Sequence, residues 1–226
     1  LDTSTLTNLN AEVPTILNKF ENIQKDKNFF QGLKTGFTGL DRLTNGLHAG
    51  NLVILAARPS IGKTTLAMNI VENVAVRERA VCAVFALEMT KEELAQRMMC
   101  SVANVSNQSA LKGKLEDEDW QKLWQAQKIL NDTKIYVDDT SMTTCAEILS
   151  KCRRLKSREG LDLVVVDHIQ LMYAITKRQP STGNHRNFQR FENDSQGTRY
   201  PRHRAFAVVP SCHGQKRTET RSFRSA

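Results

Sequence analysis

Apolar and polar positions along this 226-residue chain change period several times, and each change marks an element. Val13, Ile16, Leu17, Phe20 and Ile23 recur at helical spacing, which predicts a short amphipathic helix in need of a partner surface. Gln24–Asn28 reads as a linker. Glycines at 32, 36, 39 and 46 then punctuate turns around a short helical piece. Asn51–Ala56 has the length and content of a strand, and Lys63–Arg77 those of a helix. Val81–Leu87 is nearly all apolar, as a strand buried on both faces must be. Lys91–Val102 predicts a helix carrying Leu94, Met98 and Met99. Glu116–Leu130 predicts another, with Trp120 and Trp124 read as core anchors rather than base-stacking platforms. Lys134–Val137 is a short strand, Ala146–Ser157 a helix, and Leu161–Val166 a strand ending at Asp167. Strands alternating with helices predict an α/β fold with a mostly parallel sheet covered on both faces. Such sheets bind ligands at the carboxyl ends of their strands.

One strand end carries a chemical signature. Residues 51–70 read as strand, tight loop ending Gly62-Lys63-Thr64, then helix. A loop that runs into a helix start aims free N–H groups at one spot, and the helix dipole adds partial positive charge there. Phosphate binding requires that order. Ala57, Arg58, Pro59, Ser60, Ile61, Gly62, Lys63, Thr64 and Thr65 form the candidate nucleotide-binding loop. Lys63 would reach the terminal phosphates of ATP, and the Thr64 hydroxyl would hold Mg²⁺. The consensus begins with glycine, and here Ala57 stands in its place. The competing reading is a chance Gly-Lys-Thr in a turn; the flanking strand and helix argue against it.

Acids fall at other strand ends. Asp167 follows Val164-Val165-Val166, the place for a second Mg²⁺ contact. Glu88 ends the strand Val81–Leu87, where a carboxylate could orient or deprotonate the attacking water. A structural acid at a helix start is an equal alternative for Glu88. Asp138 and Asp139 read as turn caps. His168 and Gln170 are weaker candidates for sensing the γ-phosphate.

These residues resemble the ATPase domain of the bacterial replicative hexameric DNA helicase, the DnaB type, within the RecA-like P-loop superfamily. The resemblance runs from about Thr15 to Met172. It rests on Thr35-Gly36-Phe37 with Leu40-Asp41, Arg58-Pro59-Ser60-Ile61-Gly62-Lys63-Thr64, Phe85-Ala86-Leu87-Glu88-Met89, Leu115 with Glu118-Asp119-Trp120, Tyr136-Val137-Asp138-Asp139, and Val166-Asp167-His168-Ile169-Gln170-Leu171-Met172. Alanine at 57 is usual in that family; histidine at 168 is a departure from its tyrosine. The resemblance implies a ring hexamer with ATP between subunits, Glu88 as catalytic carboxylate, and 5′→3′ movement on single-stranded DNA. It implies a primase and a helicase loader as partners, and a linker helix at Val13–Ile23 that packs on a neighbouring subunit. The family's amino-terminal domain is expected to be missing.

Composition changes the picture only near the end. Five cysteines lack metal or disulfide spacing and read as free thiols of a cytoplasmic protein. No run approaches the ~18 apolar residues of a membrane helix. Residues 174–226 hold eleven Lys/Arg against three acids, an excess equal to the +8 of the whole chain. Residues 1–173 are neutral. The basic segment has no leucine and few aliphatic residues, so its average composition cannot bury enough surface to offset ordering the chain.

The family motifs stop after Tyr173, where a DNA-binding loop, a strand ending in Ser-Gln and an arginine finger are expected. Reading suitable synonymous codons one base out of frame restores them in part. From Glu192 to Val209 the shifted frame spells Lys-Met-Ile-Ala-Lys-Ala-Leu-Asp-Ile-Pro-Val-Ile-Ala-Leu-Ser-Gln-Leu-Ser. The segment therefore reads as helicase sequence in the wrong frame, with a genuine disordered basic tail as the alternative. The expected organisation is a linker-helix region at 1–30, an incomplete RecA-like core at 31–173, and a non-family tail at 174–226. The expected function is an ATP-driven replicative helicase in incomplete form. The alternatives are a catalytically dead nucleotide-binding remnant and a nucleic-acid-binding module acting through its basic tail.

Overall fold

Alternation along the strands decides how the molecule is layered. The computed structural model describes residues 9–11, 13–25, 32–57, 61–141, 143–167 and, as backbone, 205–209. After one 3-10 turn at Leu9–Ala11 come α1 (Val13–Lys25) and α2 (Thr38–Thr44). The core then runs β1 (Leu52–Ile54), α3 (Lys63–Arg77), β2 (Cys82–Ala86), α4 (Lys91–Ala103), α5 (Asn107–Leu111), α6 (Asp117–Asn131), β3 (Ile135–Asp138), α7 (Cys145–Glu159), β4 (Leu163–Asp167) and β5 (Ala205–Val209). The sheet order is β1-β5-β4-β2-β3, with every pair parallel.

Cys82, Val84 and Ala86 of β2 and Leu163 and Val165 of β4 share one core with Ala67, Val71 and Val74 of α3 and Leu94 and Met98 of α4. Val81, Ala83, Phe85, Val164 and Val166 form the opposite core with Cys145, Ile148 and Cys152 of α7. Period two on the strands meets helical period on the covering helices, giving three layers. A third cluster joins α4 to α6 through Ala103, Leu123 and Ala126. Burial pushes the Cys82 and Cys152 thiols up to about 12, so both are inert packing groups at neutral pH.

Local signals set the helix starts. Thr90 and Thr144 open α4 and α7 with reciprocal capping boxes to Glu93 and Glu147. Each satisfies two otherwise orphaned backbone groups. Ahead of the core, Asp41 accepts from the Thr35 N–H at 2.8 Å, the Thr35 hydroxyl at 2.7 Å and the Gly36 N–H at 3.2 Å. Asn73 of α3 donates to the Thr35 carbonyl at 3.1 Å. This clamp gives the Thr35-Gly36-Phe37 and Asp41 motif its physical meaning: it fastens the entering chain to α3. Gly36 sits at φ +84, and a Cβ there would lie 2.3 Å from Asn73 Nδ2.

Two expectations are corrected. Trp120 and Trp124 are 48% and 60% exposed, and Leu123 and Ala126 anchor α6 instead. The phase of the helix puts the latter pair toward α4, leaving both indoles on the outer side. The second concerns the basic segment, expected to lie outside the fold. Five of its residues, Ala205–Val209, form β5 between β1 and β4, with Phe206 opposite both Leu52 and Val164. Ala-Phe-Ala-Val-Val is a continuous apolar run of strand length, a local property that the segment's average composition conceals.

Candidate functional site

The strand β1 leads through the loop to Gly62, the N-cap of α3, at φ +96. A Cβ there would meet nothing closer than 3.9 Å, so glycine is required by its left-handed backbone rather than by space. Leu66 N–H makes an early helical bond, to the Gly62 carbonyl at 2.9 Å. The N–H groups of Lys63, Thr64 and Thr65 lie ahead of it, in the turn whose donors point along the helix axis. Gly62 supplies no side-chain cap, and α3 has no acid in its first turn. A 15-residue helix start left open in this way suits an anion.

Asp167, the last residue of β4, faces that turn. It is 3% exposed. The Thr64 hydroxyl donates to Asp167 Oδ2 at 2.5 Å, and Lys63 Nζ stands 3.3 Å from Oδ1 as an ion pair. Oδ1 is buried and takes no hydrogen bond within the described structure. Two hard oxygen donors, one with spare acceptor capacity, beside a helix start fit a Mg²⁺–phosphate group. Among the described residues no cluster of three His, Cys, Asp or Glu could hold a metal on its own.

Glu88 follows β2 at the same end of the sheet. The neighbouring Leu87 N–H donates to the Asp167 carbonyl at 2.7 Å, so the turn carrying Glu88 springs from the residue bonded to the partner of Thr64. Met89, next in sequence, shares a cleft of about 190 Å³ with Thr64 and Thr65. Glu88 itself is exposed. The structure thus brings Gly62, Lys63, Thr64, Thr65, Asp167 and the Glu88 turn to one edge. Ala57 is half-buried at the start of the loop and Ile61 exposed at its end. Arg58, Pro59, Ser60, His168 and Gln170 lie outside the described residues.

The other strand-end acids are engaged elsewhere. Asp138 pairs with Lys151 and accepts from the Thr140 N–H and hydroxyl. Burial raises its pKa, but these partners outweigh it and hold the carboxyl below the usual range. Asp139 accepts from the Lys91 N–H at 3.1 Å, tying β3 to the start of α4. No sequence spacing signals that contact, because the partners lie 48 positions apart. The same holds for Asn73, a polar residue in an otherwise apolar stripe of α3.

The fold is an α/β domain with an all-parallel sheet, and it gathers Lys63, Thr64 and Asp167 at one edge. The DnaB-like helicase C-terminal domain family matches residues 32–191, and the chain belongs to that family. The match extends beyond Tyr173, where the motifs end. The chain is 41% identical over 171 residues to the replicative DNA helicase DnaC of Bacillus subtilis, covering 76% of this chain and 38% of that protein. It is 46% identical over 141 residues to the replicative DNA helicase DnaB of Geobacillus stearothermophilus, covering 62% of this chain and 31% of that one. The chain therefore spans about a third of the length of these relatives. Two solved structures share the fold at 24% identity over 92% of this chain. One, at TM-score 0.76, is a DnaB-like replicative helicase described with its interactions with primase; 49% of it is covered. The other, at TM-score 0.75, is described as an ATPase domain, of which 72% is covered. No helix among the described residues is long and apolar enough to cross a membrane.

Proposed function

We propose that this chain is the ATP-hydrolysing part of a cytoplasmic replicative DNA helicase, in incomplete form. The observation that carries the reading is the meeting of Lys63 and Thr64 with buried Asp167 at the open start of α3. The α3 amides and Lys63 bind the β- and γ-phosphates of ATP. Thr64 and Asp167 hold Mg²⁺, directly or through water. When bound there, the ion would supply charge neutralisation to the phosphates. Glu88 orients the attacking water and draws its proton. His168 and Gln170 follow Asp167 in sequence and are assigned γ-phosphate sensing.

By family resemblance, hydrolysis drives 5′→3′ movement on single-stranded DNA by a homo-hexamer, with primase and a loader as further partners. The face of α1 supports an assembly role. Val13, Ile16, Leu17 and Phe20 are all exposed, as a helix made to pack on a neighbouring subunit requires. We assign residues 1–30 to this linker region, 31–173 to the ATPase core and 174–226 to an out-of-frame segment. In the shifted frame, residues 205–209 spell Leu-Ser-Gln-Leu-Ser, at the β5 position between the β1 and β4 strands. The written frame puts Ala-Phe-Ala-Val-Val there instead. Without the Ser-Gln pair on β5, hydrolysis should be slow. A second reading, a remnant that binds nucleotide without turning it over, is favoured by the same substitution of β5.

The test compares this chain with one whose residues 174–226 are rewritten in the shifted frame and continued. DNA-stimulated ATPase in the rewritten chain, abolished by Lys63→Ala, supports the helicase reading. Nucleotide binding without stimulated turnover in either chain overturns it in favour of the remnant. DNA affinity that depends on residues 174–226 but not on Lys63, with steep salt dependence, assigns function to the basic segment instead.

A further inference from the structure

The turn that carries Glu88 is held at both ends. At its start, Leu87 N–H is bonded to the Asp167 carbonyl at 2.7 Å, which ties it to the residue facing Thr64. At its far end, Thr90 caps α4: its hydroxyl accepts from the Glu93 N–H at 3.2 Å, and the Glu93 carboxylate accepts in turn from the Thr90 N–H. That box fixes the helix start relative to its own first turn. It says nothing about where the helix start lies relative to the sheet. A further bond does: Lys91 N–H to Asp139 Oδ2 at 3.1 Å. Asp139 follows β3, and β3 pairs with β2 in register from Cys82–Ile135 to Phe85–Asp138. The carboxylate of Asp139 is thus mounted on the strand beside the one that leads to Glu88.

We propose that Asp139 is a positioning residue for hydrolysis, setting the direction of the Glu88 carboxylate by holding the first N–H of α4 against the end of β3. The proposal rests on Glu88 being the catalytic carboxylate. Geometry explains why so small a contact matters. Only Glu88, Met89 and Thr90 lie between the Leu87 and Lys91 anchors. With Lys91 fixed, α4 cannot pivot about its cap, and Met89 stays in the cleft that Thr64 and Thr65 line. With Lys91 released, the cap survives but the whole turn moves with α4. The negative charge of Asp139 also meets the positive end of the α4 dipole, which strengthens the contact. Bonded to the Lys91 N–H, Asp139 acts through Glu88 alone. The neighbouring acid cannot substitute, since Asp138 is committed to Lys151 and Thr140.

The chemistry of the contact defines the variants. Asp139→Ala removes the acceptor. Asp139→Asn keeps an acceptor oxygen and loses the charge. The experiment uses the full 226-residue chain, Mg²⁺ and ATP under single-turnover conditions, with binding of a non-hydrolysable ATP analogue measured alongside. Asp139→Ala should slow hydrolysis by roughly ten- to a hundredfold, the scale of misplacing a reacting group by about an ångström. Analogue affinity should stay within about twofold of wild type, because Lys63 and Thr64 are untouched. Asp139→Asn should recover most of the rate. In a Glu88→Ala background, Asp139→Ala should cause no additional loss, because a residue acting only through Glu88 has nothing left to position. An equal loss in both backgrounds, or no loss in wild type, overturns the proposal. A Glu88→Ala chain that hydrolyses at the wild-type rate overturns the underlying reading of Glu88 itself. Amide exchange supplies a readout free of turnover. Exchange at Met89–Lys91 should quicken in Asp139→Ala and not in Asp139→Asn; unchanged exchange in both contradicts the anchor.

Discussion

The Thr64 hydroxyl donates a 2.5 Å hydrogen bond to Asp167 Oδ2 across 103 positions of chain. Thr64 lies in the first turn of the helix that follows β1, and Asp167 closes β4, two strands away in a sheet ordered β1-β5-β4. The bond therefore depends on the parallel sheet having brought two carboxyl-terminal strand ends together. Lys63 joins the same acid from the other oxygen. An ordinary α/β core could satisfy a strand-end aspartate locally; this one commits it to the helix start proposed to bind phosphate.

Asp167→Asn should separate the metal from the phosphate. The substitution retains a neutral oxygen for Thr64 but removes the charge that faces Lys63 and would attract Mg²⁺. Charge-assisted hydrogen bonds are worth about 1.5–3 kcal/mol, which corresponds to roughly ten- to a hundredfold in affinity. Titrating a fluorescent ATP analogue should show Mg²⁺ strengthening binding in the wild type and hardly at all in the variant. An equal Mg²⁺ effect in both would remove Asp167 from the metal site.

The clamp at Thr35 makes a second prediction. Gly36→Ala must hold an L-residue at φ +84 and place a methyl 2.3 Å from Asn73 Nδ2. The backbone strain alone costs about 1–3 kcal/mol. Asn73 must also give up its bond to the Thr35 carbonyl. Thermal melting should shift down by several degrees, and a wild-type melting temperature would mean the clamp contributes nothing to the core.

Acid should reveal the Asp138–Lys151 pair. The folded carboxyl of Asp138 titrates below its ordinary value of 3.8 because Lys151 and Thr140 outweigh the effect of burial. A depressed folded pKa means stability that is present at neutral pH. That contribution begins to disappear as pH falls through the unfolded carboxylate range and is gone below the folded pKa. Melting temperature should drop between about pH 5 and pH 3, and Asp138→Asn should flatten part of that drop while lowering stability at neutral pH. Parallel pH profiles would show that the pair is energetically silent.

How much of this could be read from the chain varies with the kind of signal. The helix Lys63–Arg77 coincides with its sequence expectation at both ends, because Gly62 marks its start and the apolar stripe stops at Ala75. Lys63, Thr64 and Asp167 were legible as a set, since strand-end position and residue type suffice to name them. The five-residue helix Asn107–Leu111 was not, being too short to show a period; only its Ser106 cap betrays it. Trp120 and Trp124 misled because size suggests burial while helical phase decides it. The strand Ala205–Val209 was hidden by its basic surroundings. Asp139 looked like any turn acid, and Asn73 like an interruption of a helix stripe, because the partners of both are fixed only when the sheet and its covering helices assemble.

The most direct test of the phosphate site is the affinity of this chain and of its Lys63→Ala variant for a fluorescent ATP analogue with Mg²⁺. Far-UV circular dichroism of each would establish that the fold is retained. Saturable binding is predicted for the wild type, and at least about tenfold weaker binding for the variant, the loss of one charged contact to phosphate. Equal affinity in the two folded proteins would contradict the assignment, because a nucleotide bound without Lys63 is not bound at the start of α3.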